Sequence, residues 1–164
     1  MNYNKIRKMD VSNGPGVRVS IFMQGCDAKC KECFNPETWP FEDGKEFNQE
    51  VIDRVLKLCG KDYIEGLSIL GGEPLHNVNY KGTMELMKQF KEKFPDKTIW
   101  VWTGHKFEVI KENEFMKYID VLVDGRFILE QKDLRLKYCG SSNQRVIDVQ
   151  KSLEEGETIL WKEK

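Results

Sequence analysis

The sequence of 164 residues lacks any long apolar run and has almost no net charge. No stretch approaches the roughly 20 consecutive apolar residues of a membrane-spanning helix, so we expect no membrane span. Residues 1–8 contain no apolar segment after their charges, which argues against a secretory signal peptide and favours a cytoplasmic protein. The 26 Lys and Arg residues are balanced by 27 interspersed Asp and Glu residues. Because nucleic-acid binding needs a basic patch or stripe, we expect no nucleic-acid partner.

Histidine is also scarce, and the cysteines are few and unevenly placed. The chain has two His and five Cys residues, and three of the cysteines are clustered. An odd, clustered set favours a metal site over disulfides in a reducing compartment. Hydrophobic residues make up 40% of the chain, which is ordinary for a globular protein. The length predicts one domain over residues 1–164.

The clustered cysteines form a compact metal-binding motif. Cys26, Cys30 and Cys33 are spaced C-x3-C-x2-C within eight residues. A structural zinc site or a complete iron–sulfur ligand set uses four ligands. Three thiolates on a four-iron cluster would leave one iron open, and an open metal position is typical of a site that binds substrate. A zinc site with His76 or His105 as the fourth ligand stays open as an alternative.

The remaining pattern repeats a strand, a loop and a helix. Helical periodicity predicts helices over about 48–59 and 80–94 and a broken helix over 106–118. Strands are predicted at 17–23, 67–70, 98–102, 120–123 and 145–149. This order predicts a parallel sheet. Since a closed eight-unit barrel needs roughly 250 residues, we expect an open, partial barrel or a doubly wound sheet.

A distinctive motif follows each of the first four predicted strands. The motifs are the cysteine loop, Gly71-Gly72-Glu73-Pro74, Thr103-Gly104 and Asp124-Gly125. In parallel α/β folds these strand ends share one rim, so we expect the motifs to meet there. The two glycines would let a ligand approach the backbone, and the Glu73 carboxylate could accept a hydrogen bond from a cationic amine.

The cysteine spacing combined with Gly-Gly-Glu resembles the radical S-adenosylmethionine enzymes, and most closely the activating proteins of anaerobic ribonucleoside-triphosphate reductase. The further matching segments are residues 13–16, 33–35, 38–39, 100–104, 120–125 and 140–144. The resemblance therefore runs along most of the chain. It implies an α/β fold, namely a partial, open (β/α) barrel of the radical S-adenosylmethionine type with about five to six parallel strands.

The resemblance also implies the cofactors and their contacts. A [4Fe–4S] cluster would be held by Cys26, Cys30 and Cys33, and its open iron would chelate the amino and carboxylate groups of S-adenosylmethionine. No residue beyond these cofactors is implied as catalytic. The residues implied to bind S-adenosylmethionine are Gly71, Gly72 and Glu73 at its amino group, Glu32 and Phe34 beside Cys33 at its adenosyl end, and Thr103 and Asp124 at its ribose or methionine part.

The implied activity is that of an oxidoreductase that activates a glycyl radical enzyme. One electron from a reduced flavodoxin-like donor would cleave S-adenosylmethionine to methionine and a 5′-deoxyadenosyl radical. That radical would take a hydrogen atom from a glycine of anaerobic ribonucleoside-triphosphate reductase. Two alternatives remain: an enzyme that activates another glycyl radical protein or acts on a metabolite, and a zinc-binding interaction module without catalysis.

Three residues depart from, or lie outside, this pattern. The family often has Tyr where His105 stands and Arg where Cys139 stands, and we expect His105 to be a surface or rim residue. Cys139 is interpreted as a harmless substitution or as a second redox-sensitive thiol. Cys59 lies on the apolar stripe of the first predicted helix, so we expect it to pack in the core.

Overall fold

The computed structural model describes residues 1–163 and contains a sheet flanked by helices. The strands are β1 (Asn2–Asp10), β2 (Val17–Gln24), β3 (Lys45–Glu46), β4 (Ile64–Gly71), β5 (Thr98–Trp102), β6 (Val121–Asp124) and β7 (Arg145–Asp148). The helices are α1 (Gln49–Cys59), α2 (Tyr80–Lys93), α3 (Phe107–Ile110) and α4 (Val149–Glu155). Short 3-10 turns lie at Pro36–Thr38, Glu114–Tyr118 and Leu129–Gln131.

The sheet is open, with the order β3-β1-β2-β4-β5-β6-β7 across the described residues. Its centre is parallel as predicted, because β2, β4, β5 and β6 pair in parallel. The outer strands β1, β3 and β7 are antiparallel. Four strands are thus parallel, instead of the five to six that were expected. Whether this open sheet is a partial barrel of the radical S-adenosylmethionine type stays a prediction.

The direction of β7 has a simple physical cause. A parallel strand needs a long crossover, usually a helix, to return the chain to the starting edge of the sheet. Residues 125–144, between β6 and β7, contain only the short turn Leu129–Gln131, so the chain stays at the end of β6 and β7 begins there, with Arg145 paired to Asp124. The sequence also missed β1, whose Lys and Arg residues hide the strand pattern; β3 covers only its first residues, so the rest of β1 has no partner on that side within residues 1–163.

The predicted helices are confirmed with small changes at their ends. Asn48 begins α1 by accepting a hydrogen bond from the backbone N–H of Val51 at 3.2 Å. Cys59 is fully buried on the inner stripe of this helix, as expected. The region 106–118 is broken, as predicted, into α3 and a 3-10 turn. No helix within residues 1–163 is long and apolar enough to cross a membrane.

The two faces of the sheet are covered differently. Alternate residues of β2, such as Val19 and Ile21, join the main core with the helices. The other face carries Trp100, Val121 and Val123, and it is covered by loop and C-terminal side chains, including Tyr138 and Trp161. Helices therefore close one face, while the loop-covered face is left to form the site.

Candidate functional site

The motifs that follow the parallel strands meet at one cavity, as the sequence predicted. The cavity has a volume of about 420 Å³. Its wall includes all three clustered cysteines, the turn after β4 and residues that follow β5 and β6. The lining residues from these motifs are Cys26, Cys30, Cys33, Gly71, Gly72, Glu73, Thr103, Gly104 and Gly125. Four segments separated by up to a hundred residues therefore share one space.

The cysteine loop, defined here as residues 26–33, begins where β2 ends. Its first residue is anchored because the backbone N–H of Cys26 donates to the carbonyl of Trp39 at 3.0 Å. Lys29 and Glu32 adopt left-handed backbone angles, with φ of 48° and 59°. Such angles are uncommon outside glycine, and they fold the loop tightly. This tight course lets three nearby thiols line the same cavity.

Backbone N–H groups are directed at two of the cysteine sulfurs. The N–H groups of Ala28 and Lys29 lie near enough to the sulfur of Cys26 to lower its pKa. The N–H of Asn35 donates to Sγ of Cys33 at 3.4 Å. Burial, the largest influence, raises the pKa of Cys26, and these N–H donors oppose that shift. Hydrogen bonds to sulfur are among the means by which proteins tune iron–sulfur clusters.

The donor set fits a cluster better than a single ion. The three cysteines are free and half-buried. Within residues 1–163, no three His, Cys, Asp or Glu side chains are grouped closely enough to hold one metal ion. A zinc ion needs its ligands around one point, whereas each thiolate of a four-iron cluster binds a different iron. Neither His76, which bonds to Asp27, nor His105 lines the cavity with the three cysteines.

Gly71 and Gly72 serve packing inside the protein. A Cβ on Gly71 would lie 2.5 Å from backbone atoms of Met23, and its φ of +116° favours glycine. A Cβ on Gly72 would lie 2.6 Å from the carbonyl oxygen of Gly25. The sequence-based interpretation, that these glycines leave room for a ligand, missed this contact between chain segments. The turn after β4 can lie against the start of the cysteine loop only because positions 71 and 72 carry no side chain.

Glu73 is buried, and its carboxylate is held by three donors. The Thr103 hydroxyl donates at 2.9 Å, and the N–H groups of Gly104 and Leu75 donate at 2.6 and 2.9 Å. A carboxylate has about four lone-pair positions, so roughly one stays available to a ligand. Burial raises the pKa of Glu73, and these donors oppose the shift. The geometry is compatible with accepting one hydrogen bond from a cationic amine.

Thr103 and Asp124 differ from their predicted roles. Thr103 lines the cavity, but its hydroxyl proton is directed to Glu73, so it orients that carboxylate. Asp124 does not line the cavity. Its carboxylate accepts two hydrogen bonds from Arg145, at 3.1 and 2.6 Å, and one from the N–H of Phe107 at 2.8 Å. In this structure Arg145 and the Phe107 N–H occupy the Asp124 carboxylate, and the expected contact of Asp124 with a cofactor stays a prediction.

Glu32 and Phe34, the two predicted cofactor contacts beside Cys33, differ in whether they line the cavity. Glu32 is exposed and is not among the lining residues, so its predicted cofactor contact has no structural support. Phe34 does line the cavity, and its ring packs against Phe127 with centroids 5.0 Å apart. A Cβ on Gly140 would lie 2.5 Å from the Phe34 ring. The segment 126–144 therefore forms a wall against which Phe34 rests.

Sequence reasoning did not explain the Gly140–Gln144 segment, and the structure does. The Gln144 side chain accepts hydrogen bonds from the N–H groups of Gly140 and Ser141 and donates to the carbonyl of Gly125. This amide joins the segment to the end of β6. Cys139 lines the cavity nearby, and burial raises the pKa of its thiol to about 11. No periodic signal in the sequence marks these contacts.

Comparisons with known proteins agree with this site. The family model described as a 4Fe-4S single cluster domain matches residues 12–147. The match covers most of the chain, so the chain belongs to the 4Fe-4S single cluster domain family.

Relatives specify the family further. The chain is 42% identical over 148 residues to an anaerobic ribonucleoside-triphosphate reductase-activating protein of Enterobacteria phage T4, covering 89% of this chain and 93% of the relative. A protein of the same name from Vibrio cholerae is 40% identical, covering 88% and 96%. One from Escherichia coli K12 is 37% identical, covering 89% and 97%. The chain belongs to the family of anaerobic ribonucleoside-triphosphate reductase-activating proteins, so the family resemblance is confirmed.

Proposed function

We propose that this protein cleaves S-adenosylmethionine reductively at a [4Fe–4S] cluster and generates the glycyl radical of an anaerobic ribonucleoside-triphosphate reductase. The observation that carries the proposal is one continuous cavity lined by Cys26, Cys30, Cys33 and the Gly71–Glu73 turn. A three-thiol cluster would leave one iron open, and Glu73 lines the same cavity as the thiols. The names of the relatives support the choice of reductase.

The chain's own residues would hold and orient both cofactors. Cys26, Cys30 and Cys33 would bind three irons, and the free lone pair of Glu73 would accept from the amino group of S-adenosylmethionine. The cluster, when bound, supplies the electron that cleaves the sulfonium. Thr103 and Gly104 fix the Glu73 carboxylate, so it needs little reorganisation when ligand arrives.

Apolar side chains would protect the reactive radical. Phe22, Leu70 and Trp102 line the cavity away from the cysteines, and Phe34 borders its cysteine end. Exclusion of water from such a site limits side reactions of reactive intermediates. The same cavity opens on the face of the sheet that no helix covers, which suits a partner as large as a reductase.

The electron donor and the compartment belong to the same proposal. Lys29 and Lys31 are exposed on the cysteine loop, and no ion pair engages them among the described residues. They would favour an acidic, reduced flavodoxin-like donor. The free cysteines support a reducing compartment, the cytoplasm.

The test is anaerobic activation in vitro. The reconstituted protein is incubated with S-adenosylmethionine, a reductant and an anaerobic ribonucleoside-triphosphate reductase. We expect a glycyl radical by electron paramagnetic resonance, together with 5′-deoxyadenosine. Cluster-loaded protein that produces neither would contradict the proposal. A radical on a different glycyl radical enzyme, and none on the reductase, would favour the alternative activase.

A further inference from the structure

Beyond its first residue, the cysteine loop has one hydrogen-bonded attachment to the rest of the protein. Among the described residues, the stretch 27–33 forms a single hydrogen bond to any residue outside 26–35. That bond joins Oδ2 of Asp27 to Nε2 of His76 at 3.0 Å. The position of the thiols therefore depends on the ends of the loop and on this one side-chain pair.

His76 is held so that it can serve this purpose. The N–H of Val78 donates to Nδ1 of His76 at 3.1 Å, which assigns the proton of the neutral ring to Nε2. Nε2 therefore donates to Asp27. The imidazole also packs against the Phe41 ring, with centroids 4.6 Å apart. Because the Val78 N–H and the Phe41 ring both constrain the imidazole, its Nε2–H points in a fixed direction.

The attachment connects the two halves of the site. The backbone N–H of His76 donates to the carbonyl of Glu73 at 3.2 Å. His76 is thus fixed to the turn that carries Glu73, while its side chain holds the loop that carries the thiols. One residue spans the distance between the metal ligands and the carboxylate that faces the same cavity.

We propose that His76 is a positioning residue that sets the cysteine loop relative to Glu73 through its hydrogen bond to Asp27. The inference rests on the proposed cluster. Without this bond the loop would keep its three thiols but lose their fixed placement. Loss of residues that orient metal ligands typically costs about 10- to 100-fold in metal affinity. The first effect is therefore on retention of iron and on the spectrum of the cluster.

The experiment compares five variants of the full chain after anaerobic iron–sulfur reconstitution. His76→Phe and Asp27→Leu each remove the bond, and a double variant removes both partners. His76→Gln keeps an N–H donor. His105→Phe is the matched control, because His105 is the other histidine and its side chain is exposed. The measurements are the rate of iron release to a chelator, the electron paramagnetic resonance of the reduced cluster with and without S-adenosylmethionine, and Tm.

We expect both single variants to release iron about 10-fold faster or more. The double variant should match them, because all three lack the same bond. His76→Gln should recover part of the loss, His105→Phe should behave as wild type, and S-adenosylmethionine should change the spectrum differently in His76→Phe. Should His76→Phe fold poorly, Asp27→Leu carries the test, since the Asp27 side chain is 69% exposed.

Release rates within twofold of wild type in Asp27→Leu and His76→Phe would overturn the inference. The inference would also be overturned if the increase in iron release in the double variant equalled the product of the two single increases, because the effects of independent changes multiply. A fall in Tm without faster iron release would also overturn it. A wild-type chain that takes up no iron would overturn the proposed cluster and this inference with it, whereas equal iron retention in all variants overturns the inference alone.

Discussion

Gly72 lies against the carbonyl oxygen of Gly25 so closely that a Cβ atom at position 72 would stand 2.6 Å from it. The same Cβ would stand 2.9 Å from the carbonyl oxygen of Thr38. Both neighbours are backbone atoms, which cannot turn aside as a side chain can. The N–H of Glu73 also donates to the Gly25 carbonyl at 2.9 Å. The cysteine loop and the Glu73 turn are therefore one packed unit.

Gly72→Ala should destabilise the protein by about 1–3 kcal/mol, because an added methyl forces backbone shifts in a closely packed region. Urea denaturation of the metal-free protein measures the change. Gly60→Ala is the matched control, since its added Cβ would meet only atoms at 3.4 Å or beyond. That control should stay within about 0.5 kcal/mol of wild type. Equal stabilities for the two variants would contradict the packing argument.

Cysteine substitutions should divide into two groups. Replacement of Cys26, Cys30 or Cys33 by Ala should abolish stable binding of four irons, because each thiolate holds one iron. Cys59→Ala should keep the iron and lose roughly 1 kcal/mol of stability, because Cys59 is buried in the core. Iron and sulfide analysis after reconstitution separates the groups. Cys139→Ala should also keep its iron, and a loss there would add a fourth ligand to the site.

Thr103→Val should weaken binding of S-adenosylmethionine and move its pH dependence. Burial raises the pKa of Glu73, and the charged carboxylate is the form that binds an amine, so affinity should fall as pH falls through this raised pKa. Removing the Thr103 donor raises that pKa further, so the fall should begin at higher pH. We expect roughly fivefold weaker binding, for a hydrogen bond worth about 1 kcal/mol.

Calorimetric titration of the cluster-loaded protein at several pH values measures this effect. Thr158→Val is the control, because Thr158 donates to Glu108, which does not line the cavity. An unchanged pH profile in Thr103→Val would show that Glu73 does not hold the amino group.

Arg145→Met should destabilise the protein by on the order of 3 kcal/mol, because it leaves the Asp124 carboxylate buried without its cation. Asp124→Asn in the same background should restore part of this stability. Arg145 also lowers the pKa of Glu108 from 4.5 to about 2. The stabilisation of the fold by the Arg145–Glu108 pair is therefore present above pH 4.5 and is lost as pH falls toward 2. Chemical unfolding between pH 2 and 6 should show this loss in wild type and a smaller one in Arg145→Met.

Gly140→Ala should displace the Phe34 ring from the cavity wall, because the added Cβ would lie 2.5 Å from it. Weaker binding of S-adenosylmethionine is the expected result. Phe34→Ala should weaken binding too, but adding Gly140→Ala to Phe34→Ala should cost less than it does alone, since the nearest remaining ring, Phe127, lies farther away at 3.1 Å. Calorimetry on the four proteins of this cycle gives the coupling. Fully additive losses would mean that Gly140 acts elsewhere.

The sequence supported the parallel centre of the sheet because strand and helix patterns there are regular. It also located the three thiols, Glu73 and their common rim, since position after a parallel strand predicts where a side chain emerges. The sequence did not predict β1, because its charged residues interrupt the alternation of apolar and polar positions that marks a strand. β7 was found, but its antiparallel direction depends on how residues 125–144 fold, and local pattern carries no such information.

Partnerships between distant residues account for what the sequence did not reveal at the site. Asp124 follows a parallel strand, and the family resemblance implied a cofactor contact there. Its actual partner, Arg145, lies on a strand that pairs with β6. In the same way, Gly72 is required by Gly25, a residue 47 positions earlier. Pairings of this kind follow from the tertiary fold, so a single sequence does not contain a local signal for them.

The spread of the site over four parallel strands has a consequence for the synthesis of the protein. A ribosome completes Cys33 about 70 residues before Thr103 and about 90 residues before Gly125, which line the same cavity. At 5–20 residues per second, the nascent thiols wait roughly 5 to 20 seconds for the rest of their enclosure. An oxidant present during this interval would meet three adjacent thiols without a finished wall. We therefore expect the yield of chains able to take up iron to depend on reducing conditions during translation, before any cofactor is bound.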